Sequence, residues 1–113
     1  MSMEIQNLTD DVILVKIHRE PEMGGELQTV CDIVNDRGDC DIILNFSEVD
    51  IITSPSLAKL LKLRKTLEGQ GHQLIFCSVQ DFTKHAFEVT GLDGIFQLAA
   101  DETVASELVT HSS

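Results

Sequence analysis

The stretch Asp41-Ile42-Ile43-Leu44-Asn45-Phe46-Ser47-Glu48-Val49-Asp50-Ile51-Ile52-Thr53-Ser54-Pro55-Ser56-Leu57 decides the fold, because it runs from a strand straight into a helix start. Ile42, Ile43 and Leu44 are consecutive and apolar, which suits a strand covered on both faces. Ser47 to Asp50 is polar, and Ile51-Ile52 is a short apolar return. Ser54 reads as an N-cap, since its hydroxyl can accept from the exposed amides of a first helical turn. Pro55 then fills the first helical position, where its missing N–H costs nothing. Leu57, Leu60, Leu61 and Leu67 make the expected inward stripe, and Gly69 and Gly71 bracket the helix end.

Working outward, the same alternation repeats. Upstream, Val12 to Ile17 is a β-branched, nearly continuous apolar run, preceded by a weak strand at Glu4 to Leu8. Glu20, Pro21 and Gly24-Gly25 break the extended pattern. Met23, Leu27, Val30, Cys31 and Val34 then follow a helical period that ends at Asn35 to Gly38. Downstream, Gln73 to Cys77 is a third strong strand. Val79, Phe82, Ala86 and Val89 step by three, four and three, which predicts a helix closed by Gly91. Ile95 to Leu98 reads as a short strand. Asp101 or Glu102 opens a last helix carrying Val104, Ala105 and Leu108.

Strand and helix therefore alternate throughout. The expectation is a single-domain α/β fold with a mixed four- to five-stranded sheet and four helices, largely parallel in its centre. The domain spans 1–110, and residues 111–113 form a frayed tail.

Composition narrows the function. At 113 residues and a formal net charge of −11, the chain repels a phosphate backbone, so nucleic acid is an unfavoured partner. No run approaches the roughly 20 apolar residues needed to span a bilayer, and the amino end lacks a secretion signal, so a cytoplasmic protein without membrane insertion is expected. Cys31, Cys40 and Cys77 are odd in number and form no C-x-x-C pair, which supports neither a disulfide framework nor a metal site. Positive charge is concentrated: Lys59, Lys62, Arg64 and Lys65 lie in one seven-residue stretch, a solvated helix face or a local docking patch. His18, His72 and His85 are conceivable acid–base groups. However, G-x-S-x-G, H-E-x-x-H and P-loop motifs are all missing, so no enzyme and no cofactor are expected. His72 and His85 read as solvated surface histidines, and Cys77 has nothing basic predictably beside it.

Three pieces resemble the STAS domain family, named for sulphate transporters and anti-sigma factor antagonists. They are Ile43 to Leu57 as quoted above, the strand Gly71-His72-Gln73-Leu74-Ile75-Phe76-Cys77, and Val89-Thr90-Gly91-Leu92-Asp93-Gly94-Ile95-Phe96. The resemblance covers nearly the whole chain and is strongest from Asp41 to Phe96. It implies a module that binds an anti-sigma factor with serine kinase activity and is phosphorylated in a D-S-[ST]-G motif at the start of the second helix. Ser54 matches the acceptor. Thr53 stands at the motif's Asp, Pro55 at its second Ser or Thr, Ser56 at its Gly, and Asn45 replaces an Asp usual at the end of the preceding strand.

Ser54 is thus the candidate phosphoacceptor, with Thr53 and Ser56 as fallbacks. Arg19, Met23, Thr53, Ser54, Pro55, Ser56 and Lys59 are the candidate partner contacts. A helix start tolerates a phosphate, whereas an acidic or apolar partner docked over it does not. The alternatives are a plain capping serine in a non-phosphorylated scaffold or adaptor subunit of a signalling or lipid-transport complex, and an enzyme built on the histidines.

Overall fold

The computed structural model describes residues 4–110, so the frayed tail expected at 111–113 lies outside the described residues. Five strands form one sheet: β1 (Glu4–Thr9), β2 (Val12–Lys16), β3 (Asp41–Asn45), β4 (Leu74–Cys77) and β5 (Gln97–Ala99). They lie side by side in chain order. β1 runs antiparallel to β2, and every later pairing is parallel. Four α-helices complete the fold: α1 (Glu22–Arg37), α2 (Ser54–Gly69), α3 (Asp81–Thr90) and α4 (Glu102–Thr110). A short 3-10 helix, Leu92–Gly94, links α3 to β5.

Strand order explains where the helices go. Each crossover from β2 to β5 advances one strand in the same direction, so crossovers of one hand put α1, α2 and α3 on one face. That face carries the main core, where Ile13, Val15, Ile42, Leu44 and Phe76 of the sheet meet Met23, Leu27 and Val30 of α1 and Leu60, Leu63 and Leu67 of α2. The opposite face, Val12, Leu14, Ile43, Ile75 and Cys77, is covered by Ala105 and Val109 of α4. Covering on both faces is why the central strands read as unbroken apolar runs. Four of the five phenylalanines make one cluster: Phe46 stacks on Phe76 at 4.7 Å, and Phe96 and Phe87 pack beyond it.

The α1 stripe, its left-handed Gly38 stop and the Gly91 stop of α3 lie where the periodicity places them. Three stripes differ. In α2, Leu63 is buried and Leu61 is 37 % exposed. In α3, Phe82 and Val89 are 68 % and 72 % exposed, while Thr83 and Phe87 point inward. The helix is turned this way because the Thr83 hydroxyl donates to the carbonyls of Val49 and Asp50 at 3.3 and 3.0 Å. In α4 the buried pair is Ala105 and Val109, leaving Val104 and Leu108 part-exposed. The final strand also starts later than the apolar run suggests, since Ile95 is exposed and Phe96 joins the aromatic cluster.

These facings set opposite expectations for two phenylalanines. Phe76→Ala is expected to lower stability by about 3–5 kcal/mol through lost burial and the cavity left behind. Phe82→Ala is expected to change it by no more than about 0.5 kcal/mol. Urea unfolding of both variants measures the difference.

Candidate functional site

The site lies where the β3–α2 and β2–α1 loops meet, beyond the carboxyl ends of the strands. Strand order never reverses in this sheet, so it has none of the crevice that such a reversal opens for ligands in other parallel sheets. What lies there is a surface of two loops and a helix end. The β3–α2 loop is pinned from below. Val49 is buried, its N–H bonds the Phe46 carbonyl at 3.0 Å, Gln80 donates to the Ser47 carbonyl at 2.8 Å, and Thr83 holds the next two carbonyls.

The cap of α2 is Thr53, not Ser54. Thr53 has extended backbone, and its Oγ1 accepts from the Ser56 N–H at 3.4 Å. Ser54 is the first helical residue and Pro55 the second. The reason for the offset is a carboxylate from the other loop. Glu20 Oε2 accepts from the Thr53 N–H at 3.2 Å and from its hydroxyl at 2.7 Å. Burial by itself raises the Glu20 pKa. Hydrogen bonds from the Ser56 and Thr53 hydroxyls and from the Thr53 and Gly24 amides outweigh it and hold the carboxyl below its ordinary 4.5. Lys59 adds a second tie, donating to the Gly24 carbonyl at 3.0 Å. Behind this, Glu26 grips His18 twice, at 2.7 Å from its amide and 2.6 Å from Nδ1. That bond raises the His18 pKa above 6.5, with burial opposing and the charges of Glu26, Glu48 and Glu4 adding to it.

The structure divides the expected residues. Thr53, Ser54, Pro55 and Arg19 are exposed, and Lys59 is partly so. Met23 is fully buried in the core, so it presents no surface to a partner. Ser56 is 2 % exposed with its hydroxyl on Glu20, which removes it as an accessible acceptor. His72 is not a free surface group, since its Nδ1 lies 3.0 Å from Asp41 Oδ1, while His85 is exposed. Burial, against a hydrogen bond with Ser78, pushes the Cys77 thiol up to about 11.

Two features escape a reading of the sequence. Glu20 is one, because its partners lie 33 residues away; its place before Pro21 is the sole local sign. The other is an apolar groove of about 380 Å³ between the β3–α2 loop, α2 and α3, lined by Ile51, Ile52, Leu57, Phe82, Ala86 and Phe87 among others. Its lining residues Ile52 and Leu57 bracket Ser54 in sequence, and Ile51 is 62 % exposed.

Thr53→Ala is expected to cost about 1 kcal/mol, as losing a cap does, whereas Ser54→Ala stays within about 0.5 kcal/mol. Chemical denaturation of the two separates cap from neighbour. A group with a lowered folded pKa stabilises above its unfolded value, and that contribution is lost as pH falls through the folded value. Glu20→Gln is therefore expected to melt below wild type at pH 7, with the gap closing as the pH is taken below 4.5. Thermal melts across that range check it.

The geometry has counterparts in known proteins. The STAS domain model matches residues 5–106. BtrV of Bordetella bronchiseptica, whose name places it among anti-sigma factor antagonists, is 27% identical over 71 residues, 63% of this chain and 61% of that protein. The chain thus matches only about three-fifths of this relative's length. An anti-sigma-factor antagonist (STAS) domain protein from Planctomyces limnophilus superposes with a TM-score of 0.81 at 14% identity, over 96% of this chain and 97% of that one. The Bacillus cell fate determinant SpoIIAA in its phosphorylated form superposes at 0.70 and 14% identity, over 95% and 99%. At these identities the two structures speak for the fold, and the matched residues speak for the family: the chain belongs to the STAS domain family.

Proposed function

We propose that the chain is a protein-binding module of the anti-sigma factor antagonist type, released from its partner by phosphorylation of Ser54. The observation that carries this is an exposed residue, Ser54, at the start of α2, following a loop tied by hydrogen bonds to Glu20 on one side and to Gln80 and Thr83 on the other, with Ile51 exposed in that loop. The name of BtrV supports the class, and a phosphorylated SpoIIAA of the same fold supports the modification. The partner is an anti-sigma factor with serine kinase activity, and the complex works in the cytoplasm.

A phosphate adds about −1.5 to −2 charges at neutral pH. On Ser54 it stands one residue from Thr53, whose N–H and hydroxyl already hold the Glu20 carboxylate. Two anions then share one helix end. The added charge faces outward and opposes an apolar or acidic surface docked there, while the core beneath stays intact. Binding rather than catalysis is the role, since His18 and His72 are engaged by carboxylates and Cys77 is held as a thiol.

One observation favours a second reading, a scaffold that never switches. Pro55 has no N–H, the Ser56 N–H goes to Thr53, and the Thr53 N–H goes to Glu20. Three of the donors that would hold a phosphate are absent or already engaged. Titration of the co-purifying partner by calorimetry decides between the two. Ser54→Glu is expected to abolish binding with a melting temperature near wild type, and undiminished binding selects the scaffold.

A further inference from the structure

We infer that the outward face of α2, from Ala58 through Leu61 to Lys62 and Lys65, docks an acidic surface of the protein partner. The inference rests on the binding reading above and names the chemistry of what binds.

Charge complementarity carries it. The chain holds 19 acidic against 8 basic residues, yet half of the basic ones lie between Lys59 and Lys65. Two of those are engaged within the fold: Lys59 donates to the Gly24 carbonyl, and Arg64 pairs with Glu68 at 2.7 Å and donates to the Ile95 carbonyl. Lys62 and Lys65 are exposed, and the ammonium group of neither has an ion pair or hydrogen bond among the described residues, although the Lys62 carbonyl accepts from the Thr66 hydroxyl at 3.0 Å. The only acid on α2 is Glu68, which Arg64 takes. A carboxylate four residues away would stabilise each lysine on the helix, but Ala58, Thr66, Leu61 and Gly69 stand at those positions. Here those lysines are left as cations for something outside.

The surroundings fix how the partner lies. Ala58 and Leu61 fall on the same outward side of the helix as the two lysines, as 100° steps around its axis require, and both are exposed. Along the neighbouring flank, Leu57 leads into the groove of Ile51 and Phe82. Asp50 lines that groove, so carboxylates of the partner are repelled there and drawn toward Lys62 and Lys65. The fitting occupant is a protein segment with one bulky apolar side chain for the groove and carboxylates over the lysines. Ser54 begins the same face, roughly 16 Å from Lys65 by the helical rise. A phosphate there meets the near end of an acidic partner and repels it.

The test places a photo-crosslinking residue at position 61 of the full chain in its native cells, with position 35 on the exposed side of α1 as control. The expected cross-link at 61 joins a partner segment rich in Asp and Glu. Affinity of the purified chain for that partner is then compared among wild type, Lys62→Glu/Lys65→Glu and Ser54→Glu, each checked for native circular dichroism. The double reversal is expected to weaken binding by about tenfold or more, and wild-type affinity to fall with added salt, as for charge-steered docking. No cross-link at 61, a cross-linked segment without acidic residues, or a double reversal within about twofold of wild type overturns the inference. Loss on Ser54→Glu with no loss on the double reversal sinks this surface and leaves the phosphorylation reading standing. The converse sinks phosphorylation and leaves the surface.

Discussion

One carboxylate joins the two loops from which the candidate site is built. Glu20 reaches from the β2–α1 loop to the first turn of α2 and takes both donors of Thr53. Thr53 can then cap the helix with its own Oγ1, which leaves Ser54 facing solvent rather than folded back on the backbone. A hydrogen bond to an ionised acceptor is stronger than a neutral one, and Glu20 gathers several while partly buried. The exposed hydroxyl is therefore a consequence of where that charge sits. Glu26 holds His18 at the start of the same loop, and Lys59 ties α2 to Gly24 in the first turn of α1 just beyond its end.

The topology explains why the candidate site is a surface. Strands laid down in chain order send three successive crossovers to one face and leave the other to α4. Both faces of the central strands are thereby sealed, and their carboxyl ends meet loops packed by Val49 and Thr83. The exposed chemistry belongs to helix ends and outward helix faces. That arrangement suits recognition of another protein, where a few exposed apolar anchors and a charged margin supply affinity and register.

The strands, the order of elements and the α1 stripe were legible because buried parallel strands and amphipathic helices leave strong local patterns. Ile42-Ile43-Leu44 and Leu74-Ile75-Phe76 admit little else. Two of the misreadings arise where a non-local polar contact outweighs local spacing. Thr83 turns α3 by bonding two carbonyls of a distant loop, which sends Phe82 outward although its spacing with Ala86 and Val89 is helical. Thr53 takes the cap from Ser54 because Glu20 is there to receive its hydroxyl. Met23 sits beside the site in sequence but fills the core, as an apolar residue on the α1 stripe should. The groove was hidden with Phe82, whose helical spacing assigned it inward although its exposed side chain lines one wall.

The most direct test of the central claim is hydrogen–deuterium exchange of the whole chain, free and saturated with its co-purifying partner. New protection is expected in residues 51–65, with the sheet and α4 unchanged. Protection that falls instead on β1 or α4, with the start of α2 exchanging as freely as before, contradicts it.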